Sequence, residues 1–239
     1  MINLFVTGSN SNSGTSFITA GLAITMQSLG YQSAVYKPVD IGAKEKQGFV
    51  QSVDLAYVKN LDPYIKTAFS YSFKSLAAPV ISAENENLVI SKDVLKSDFD
   101  NLSKEADCVL LEGTQGVMTP LGVDFLEADL VSFFNAPLLL VVKPVYGAIN
   151  QTLLSLEYLY KKGISVRGII INNSLDETDK TELKNLPRLV EEYSNSKILG
   201  IIQDFSYMQK IDPNNLITNI LNGIDIESVF DIEITKLKL

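Results

Sequence analysis

Short runs dominated by apolar residues recur along the chain at 2–6, 33–37, 108–111, 137–142, 168–171 and 198–202. Each is strand-sized, and most end in glycine, proline or a polar residue, as strands covered on both faces do. Helical spacing fills the intervals at 17–29, 92–104, 148–162 and 183–193. Gly30 follows the first of these segments as a C′ glycine would, and Pro38 is expected to stop the second strand. Strands alternating with helices predict an α/β fold with a mostly parallel sheet flanked by helices. No linker, low-complexity tract or internal repeat interrupts the pattern. A single domain over residues 1–239 is therefore expected, with the placement of the tail after about residue 223 left open.

Composition narrows the chemistry. At 239 residues and 46% hydrophobic content, the chain can bury a full core. A net charge of −8 argues against a nucleic-acid surface, which needs clustered Lys and Arg. Histidine is absent, which removes Ser-His and Cys-His nucleophilic systems and His-ligated zinc. The one cysteine, Cys108, lies inside an apolar run and is expected to be a buried strand residue. No apolar stretch is long enough to span a bilayer, and the chain starts directly on a strand-like run. A soluble cytoplasmic protein is the expectation.

The loop Gly8-Ser9-Asn10-Ser11-Asn12-Ser13-Gly14-Thr15-Ser16 lies between the first strand and the first helix. Strand, glycine-bounded loop and helix are the setting of a phosphate-binding P-loop, where backbone N–H groups and the helix dipole face an anion. The motif G-x-x-x-x-G-K-[ST] has lysine where this chain has Thr15. Lys37 and Glu112 close the second and third strands on the same edge of a parallel sheet, where ligands bind. Asp54 precedes the apolar Leu55-Ala56-Tyr57-Val58. The Ser16 hydroxyl, Asp54 and Glu112 together offer hard oxygen ligands for Mg²⁺. The plainer alternatives are a solvated strand-end lysine at Lys37 and a helix N-cap at Asp54.

These residues, read together, resemble dethiobiotin synthetase. The likeness runs through Phe5-Val6-Thr7-Gly8 to Ser16, Tyr36-Lys37-Pro38-Val39, Asp54, Ala78-Pro79 and Leu111-Glu112-Gly113. It continues through Thr119-Pro120-Leu121 and Gly147-Ala148-Ile149-Asn150 to Asn172, ending near Ile202. The resemblance implies a P-loop NTPase-like homodimer that makes dethiobiotin from 7,8-diaminopelargonate, CO2 and ATP through a carbamate and a carbamic phosphate. It implies that Ser16, Asp54 and Glu112 hold Mg²⁺, and that Lys37 and Ser16 are catalytic. Asn12, Ser13, Gly14, Thr15, Ser16, Glu112 and Asn172 would bind ATP, with Asn172 reading the adenine edge. Ser11, Lys37, Ile41 and Asn150 would meet the diamine substrate, Asn150 across the dimer interface.

The chain departs from the family pattern at Thr15, at Asn10 and Asn12 where acidic residues are usual, at Ile41 where a hydroxyl is expected, and at Thr114-Gln115. A catalytically impaired or non-enzymatic relative that still binds nucleotide or ligand is the alternative these changes raise. An amidating synthetase on the same scaffold is a third reading, disfavoured because no glutaminase domain is present. Lys143, after the 137–142 run, either leans toward the loop as a substitute cation or lies at the surface.

Overall fold

The structure is a computed structural model and describes residues 1–46, 48–174, 179–202 and 211–234. In chain order the elements are β1 (Ile2–Gly8), α1 (Thr15–Ser28), β2 (Ser33–Ile41), β3 (Lys44–Lys46), β4 (Phe49–Gln51), α2 (Val53–Leu61) and β5 (Lys66–Phe73). Next come α3 (Pro79–Asn85), α4 (Lys92–Ser103), β6 (Cys108–Glu112), β7 (Pro120–Gly122), β8 (Phe125–Leu126) and α5 (Glu127–Phe133). The last are β9 (Leu138–Val142), α6 (Ala148–Lys161), β10 (Val166–Asn172), α7 (Lys180–Tyr193), β11 (Ile198–Ile202), α8 (Pro213–Gly223) and α9 (Ile226–Phe230).

Seven strands form one sheet in the order β11-β10-β9-β1-β6-β2-β5. Each neighbouring pair is parallel. Successive residues of a strand alternate between two apolar layers. Val109 and Leu111 face a layer built from α4, α5, α6 and α7, whereas Cys108 and Leu110 face one built from α1, α2, α8 and α9. Both faces are covered, which is why the central strands β6 and β9 are apolar at nearly every position. The chain accordingly has the mostly parallel α/β fold expected from its pattern.

Pro38 does not stop β2. The strand pairs with β6 only as far as Tyr36 and with β5 to Ile41, so the missing N–H falls where β2 has a neighbour on one side only. Asp54 is not the N-cap of α2 either. Ser52 accepts the Leu55 N–H, and Asp54 lies inside the first turn, freed to point elsewhere. The run at 198–202 is an edge strand rather than a central one, with Ile201 exposed. Cys108 is buried as expected. Beyond residue 223, Ile224 bridges antiparallel to Gly200, and α9 packs its buried Ile226, Val229 and Phe230 on the α1 side.

That closing contact depends on a glycine. A Cβ on Gly200 would lie 2.3 Å from the Gly223 carbonyl oxygen and 2.7 Å from Ile224 Cα, backbone atoms that cannot rotate away. Gly200→Ala is expected to cost about 1–3 kcal/mol, the usual penalty of overpacking, measured by urea denaturation. A native-like midpoint would mean that the tail does not pack on β11 in this way.

Candidate functional site

The loop after β1 is shaped by positions a side chain would obstruct. A Cβ on Gly8 would meet the Asn10 carbonyl oxygen at 2.5 Å and Ser13 Oγ at 2.8 Å. Asn12 and Gly14 take left-handed conformations with φ of 64° and 77°, and Gly14 serves as the N-cap of α1. Asparagine and glycine are the residues that tolerate this region best. The Ser13 hydroxyl donates to the Asn10 carbonyl at 2.8 Å or its side-chain oxygen at 2.6 Å. The Asn10 amide donates to Gln151 on α6. From β10, the buried Asn172 amide donates to the Ser13 carbonyl at 2.9 Å, while its oxygen accepts the Ser174 N–H at 3.2 Å. Asn172 is thus a brace for the loop, and both ends of its amide are bonded within the protein.

Beside the loop lies a buried charged cluster. Lys37 is 3% exposed and Glu112 1%, both on the α1 side of the sheet. The Lys37 ammonium pairs with Asp54, with Glu112 at 2.8 Å and with Asp40 at 3.7 Å. The Ser16 hydroxyl, in the first turn of α1, donates to Glu112 at 2.7 Å. Lys37 is therefore not a solvated strand-end residue. The parallel sheet brings Ser16, Lys37, Asp54 and Glu112 together, as their positions in the sequence imply.

One ammonium among three carboxylates leaves the cluster net negative. Burial opposes the Lys37 charge, but Glu112, Asp54 and Asp40 outweigh it and hold the group well above the ordinary lysine range. Burial pushes the Glu112 carboxyl up to about 7, against the pull of Lys37 and Ser16. Burial also raises Asp54, yet the Lys37 charge and hydrogen bond overcome it and leave Asp54 below the usual range. Asp40 stays raised by burial despite Lys37 and a bond from Ser72. Such a site attracts a further cation.

The residues present fit a magnesium ion. Glu112 Oε2 is buried with no hydrogen-bond partner, and Ser16, Asp54 and Glu112 are all hard oxygen donors. Among the described residues no group of three or more His, Cys, Asp or Glu forms a cation cage. An ion here would rely on water and phosphate oxygens for most of its shell, as Mg²⁺ does in phosphate-binding sites.

The remaining expected site residues are spread around this centre. Ser11 and Asn12 are exposed on the loop, and Thr15 is half-buried at the start of α1. Ile41 ends β2 and packs on the apolar core. Asn150 is exposed on α6, where it lines a groove of about 520 Å³ with Tyr160 and Tyr193. A smaller cavity of about 370 Å³ lies beside the loop, lined by Ser9, Gln115, Met118, Thr119, Gln151 and Leu154. The smaller one is nearer the chemistry, because Ser9 belongs to the phosphate loop itself.

One buried carboxylate escaped the sequence reading. Glu127, in the first turn of α5, is 1% exposed and accepts the Thr7 hydroxyl, the Thr114 N–H at 2.7 Å and the Gln115 N–H at 3.2 Å. It ties the end of β1 to the turn after Glu112, and Gly113 has no room for a side chain against it. Burial leaves this carboxyl raised above its usual range. The available signal was a glutamate opening the apolar segment at 127–133, a pattern shared by many surface helices.

A family described as "AAA domain" matches residues 3–211. The ATP-dependent dethiobiotin synthetase BioD of Methanococcus vannielii is 32% identical over 84% of this chain and 93% of its own length. The protein of the same name from Nitrosopumilus maritimus is 30% identical over 96% of this chain and 99% of its own. Among solved structures, the Aquifex aeolicus MinC:MinD cell division complex aligns with a TM-score of 0.57 and 13% identity, covering 100% of this chain and 99% of that one. A ParA family ATPase from Chlorobium tepidum gives a TM-score of 0.57 at 15% identity over 96% of both chains. These two likenesses show the fold alone.

Removing the Glu127 clamp separates hydrogen bonding from charge. Glu127→Ala strands two backbone donors and a hydroxyl in the interior and is expected to cost about 3–5 kcal/mol. Glu127→Gln keeps an acceptor for both amides and a donor for Thr7, and is expected to cost less than about 1.5 kcal/mol. Equal losses in urea denaturation would show that the charge, rather than the bonds, is what this position needs.

Proposed function

The chain belongs to the dethiobiotin synthetase family, and from that premise we propose that it is an ATP-dependent ligase that closes the ureido ring of dethiobiotin. The observation that carries the reading is the buried Lys37 cation, held by Glu112 and Asp54 beside the phosphate loop. One amine of 7,8-diaminopelargonate adds to CO2, forming a C–N bond and releasing a proton. A carbamate oxygen then attacks the γ-phosphorus of ATP, and the bond to the β-phosphate oxygen breaks to give ADP. The second amine attacks the carbonyl carbon, closes the ring and expels phosphate.

This chemistry suits a chain without histidine. Phosphoryl transfer to an existing oxyanion needs alignment and charge neutralisation more than a protein nucleophile. Lys37 faces the carbamate and the transferring phosphoryl group and holds them together. The N–H groups of residues 12–16 face the phosphates, with Thr15 contributing an amide but no charge. Magnesium, when bound, would lie against Ser16, Asp54 and Glu112 and neutralise charge on the phosphates. Ser11, Ile41 and Asn150 border the diamine, Asn150 from the other subunit of a homodimer. Asn172 reaches the adenine edge by exchanging its present bonds to Ser13 and Ser174. On this reading the chain works as one domain in the cytoplasm.

Thr15 favours a second reading, in which the same site binds nucleotide or ligand and turns over slowly or not at all. Rapid-quench single turnover with diamine, bicarbonate, Mg²⁺ and ATP tests both. Lys37→Met is expected to lower diamine-dependent ADP formation roughly a hundred- to a thousandfold, the range for removing one transition-state donor. Native protein that releases no dethiobiotin under these conditions would leave the binding role as the better account.

A further inference from the structure

Residues 8–16 hold no lysine or arginine. Lys37 lies outside the loop, paired with Glu112, Asp54 and Asp40, and in the reading above it serves the transferring group and the carbamate rather than the phosphates seated in the loop. A polyphosphate in the loop therefore lacks a side-chain cation of its own. We propose that Lys143 supplies it, reaching the phosphates of bound ATP from the end of β9 and standing in for the lysine that Thr15 replaces.

Register places it there. β9 lies between β1 and β10, with Val141 abreast of Gly8 and Val142 abreast of Ile171. Lys143 is the first residue past the end of β9, at the level where β1 gives way to the loop after Gly8 and β10 reaches Asn172. The Ser9 N–H donates to the Val141 carbonyl at 3.0 Å, so the loop leaves the sheet alongside β9.

The face is set by alternation. Leu140 and Val142 lie in the α4–α7 layer and Leu139 and Val141 in the α1 layer, so the next residue falls on the α1 side. Asn172 obeys the same rule after Ile171, and its short side chain already reaches Ser13 from a strand farther from the loop. Lys143 is longer and one strand nearer. Its backbone is held by the Val145 N–H on its own carbonyl at 2.9 Å and the Asp179 N–H on the Pro144 carbonyl at 2.7 Å. Lys143 is half-buried, and among the described residues its ammonium has no ion pair and no hydrogen-bond partner. Lysine at this place supplies the electrostatic contact to phosphate that loop amides cannot.

The inference rests on the ATP-dependent reading above, and double substitution tests it. MgATP affinity is measured by calorimetry without diamine, and ADP formation by single turnover, for native protein, Lys143→Ala, Thr15→Lys and the double variant. Thermal melts of all four confirm folding, and Lys143→Arg serves as the charge-keeping control. Lys143→Ala is expected to weaken MgATP binding about tenfold and slow ADP formation about a hundredfold. Lys143→Arg should retain most of both, and Thr15→Lys should restore Lys143→Ala far more than it improves the native chain. Native values in Lys143→Ala overturn the inference, as does a Thr15→Lys gain that is equal in both backgrounds. Native protein that binds MgATP in a Lys143-dependent way yet makes no dethiobiotin sinks the ligase reading and leaves the lysine's role standing. Dethiobiotin made equally well by Lys143→Ala does the reverse.

Discussion

A buried ammonium surrounded by carboxylates is the constraint on which the site depends. Asp40, Asp54 and Glu112 approach one lysine in the interior, and no two of the carboxylates would tolerate that proximity without it. The parallel sheet makes the arrangement possible by ending β2 and β6 on one edge, beside the start of α1. Ser52, by capping α2, leaves Asp54 free to complete it. The imbalance of charge then has a chemical use. Glu112 Oε2 is unbonded and its carboxyl is pushed up to about 7 by burial, and on the proposed function this is where a divalent cation would relieve the charge and Lys37 would hold an anionic substrate.

A second framework, made of two side-chain amides and one carboxylate, supports the loop from the other side. Asn172 and Gln151 hold it through Ser13 and Asn10, while Glu127 fixes the turn after Glu112 to the end of β1. Asn10 and Asn12, where the family usually has acids, fit this arrangement, because they add no negative charge beside a loop without a lysine. Loop shape is thus set by hydrogen bonds that do not involve position 15, so it does not depend on a lysine there.

The parts legible in the sequence are those whose physics is local or doubly buried. β6, β9 and β10 are covered on both faces and read as unbroken apolar runs, and Ser16, Lys37 and Glu112 follow once the strands are parallel. β5 is not legible as an apolar run because it is an edge strand whose Phe69, Tyr71 and Phe73 alternate with serines. The hairpins β3–β4 and β7–β8 are too short to carry a period. Pro38 does not end β2, and the N-cap alternative for Asp54 fails, because both outcomes depend on which neighbour lies beside the residue. Glu127 is not legible for the same reason, since its donors are two backbone N–H groups and the Thr7 hydroxyl, all 12 or more residues away.

The central claim is that this centre joins a carbamate oxygen to the γ-phosphorus of ATP. Isotope transfer tests it directly. In a rapid-quench turnover started with ¹⁸O-labelled CO2, diamine and MgATP, the oxygen that attacks phosphorus stays with the phosphate when the ring closes. The account requires inorganic phosphate carrying one labelled oxygen, formed together with dethiobiotin. Unlabelled phosphate released with ADP would mean that water attacks the nucleotide, and the centre would then be a hydrolytic or binding site rather than a ligase.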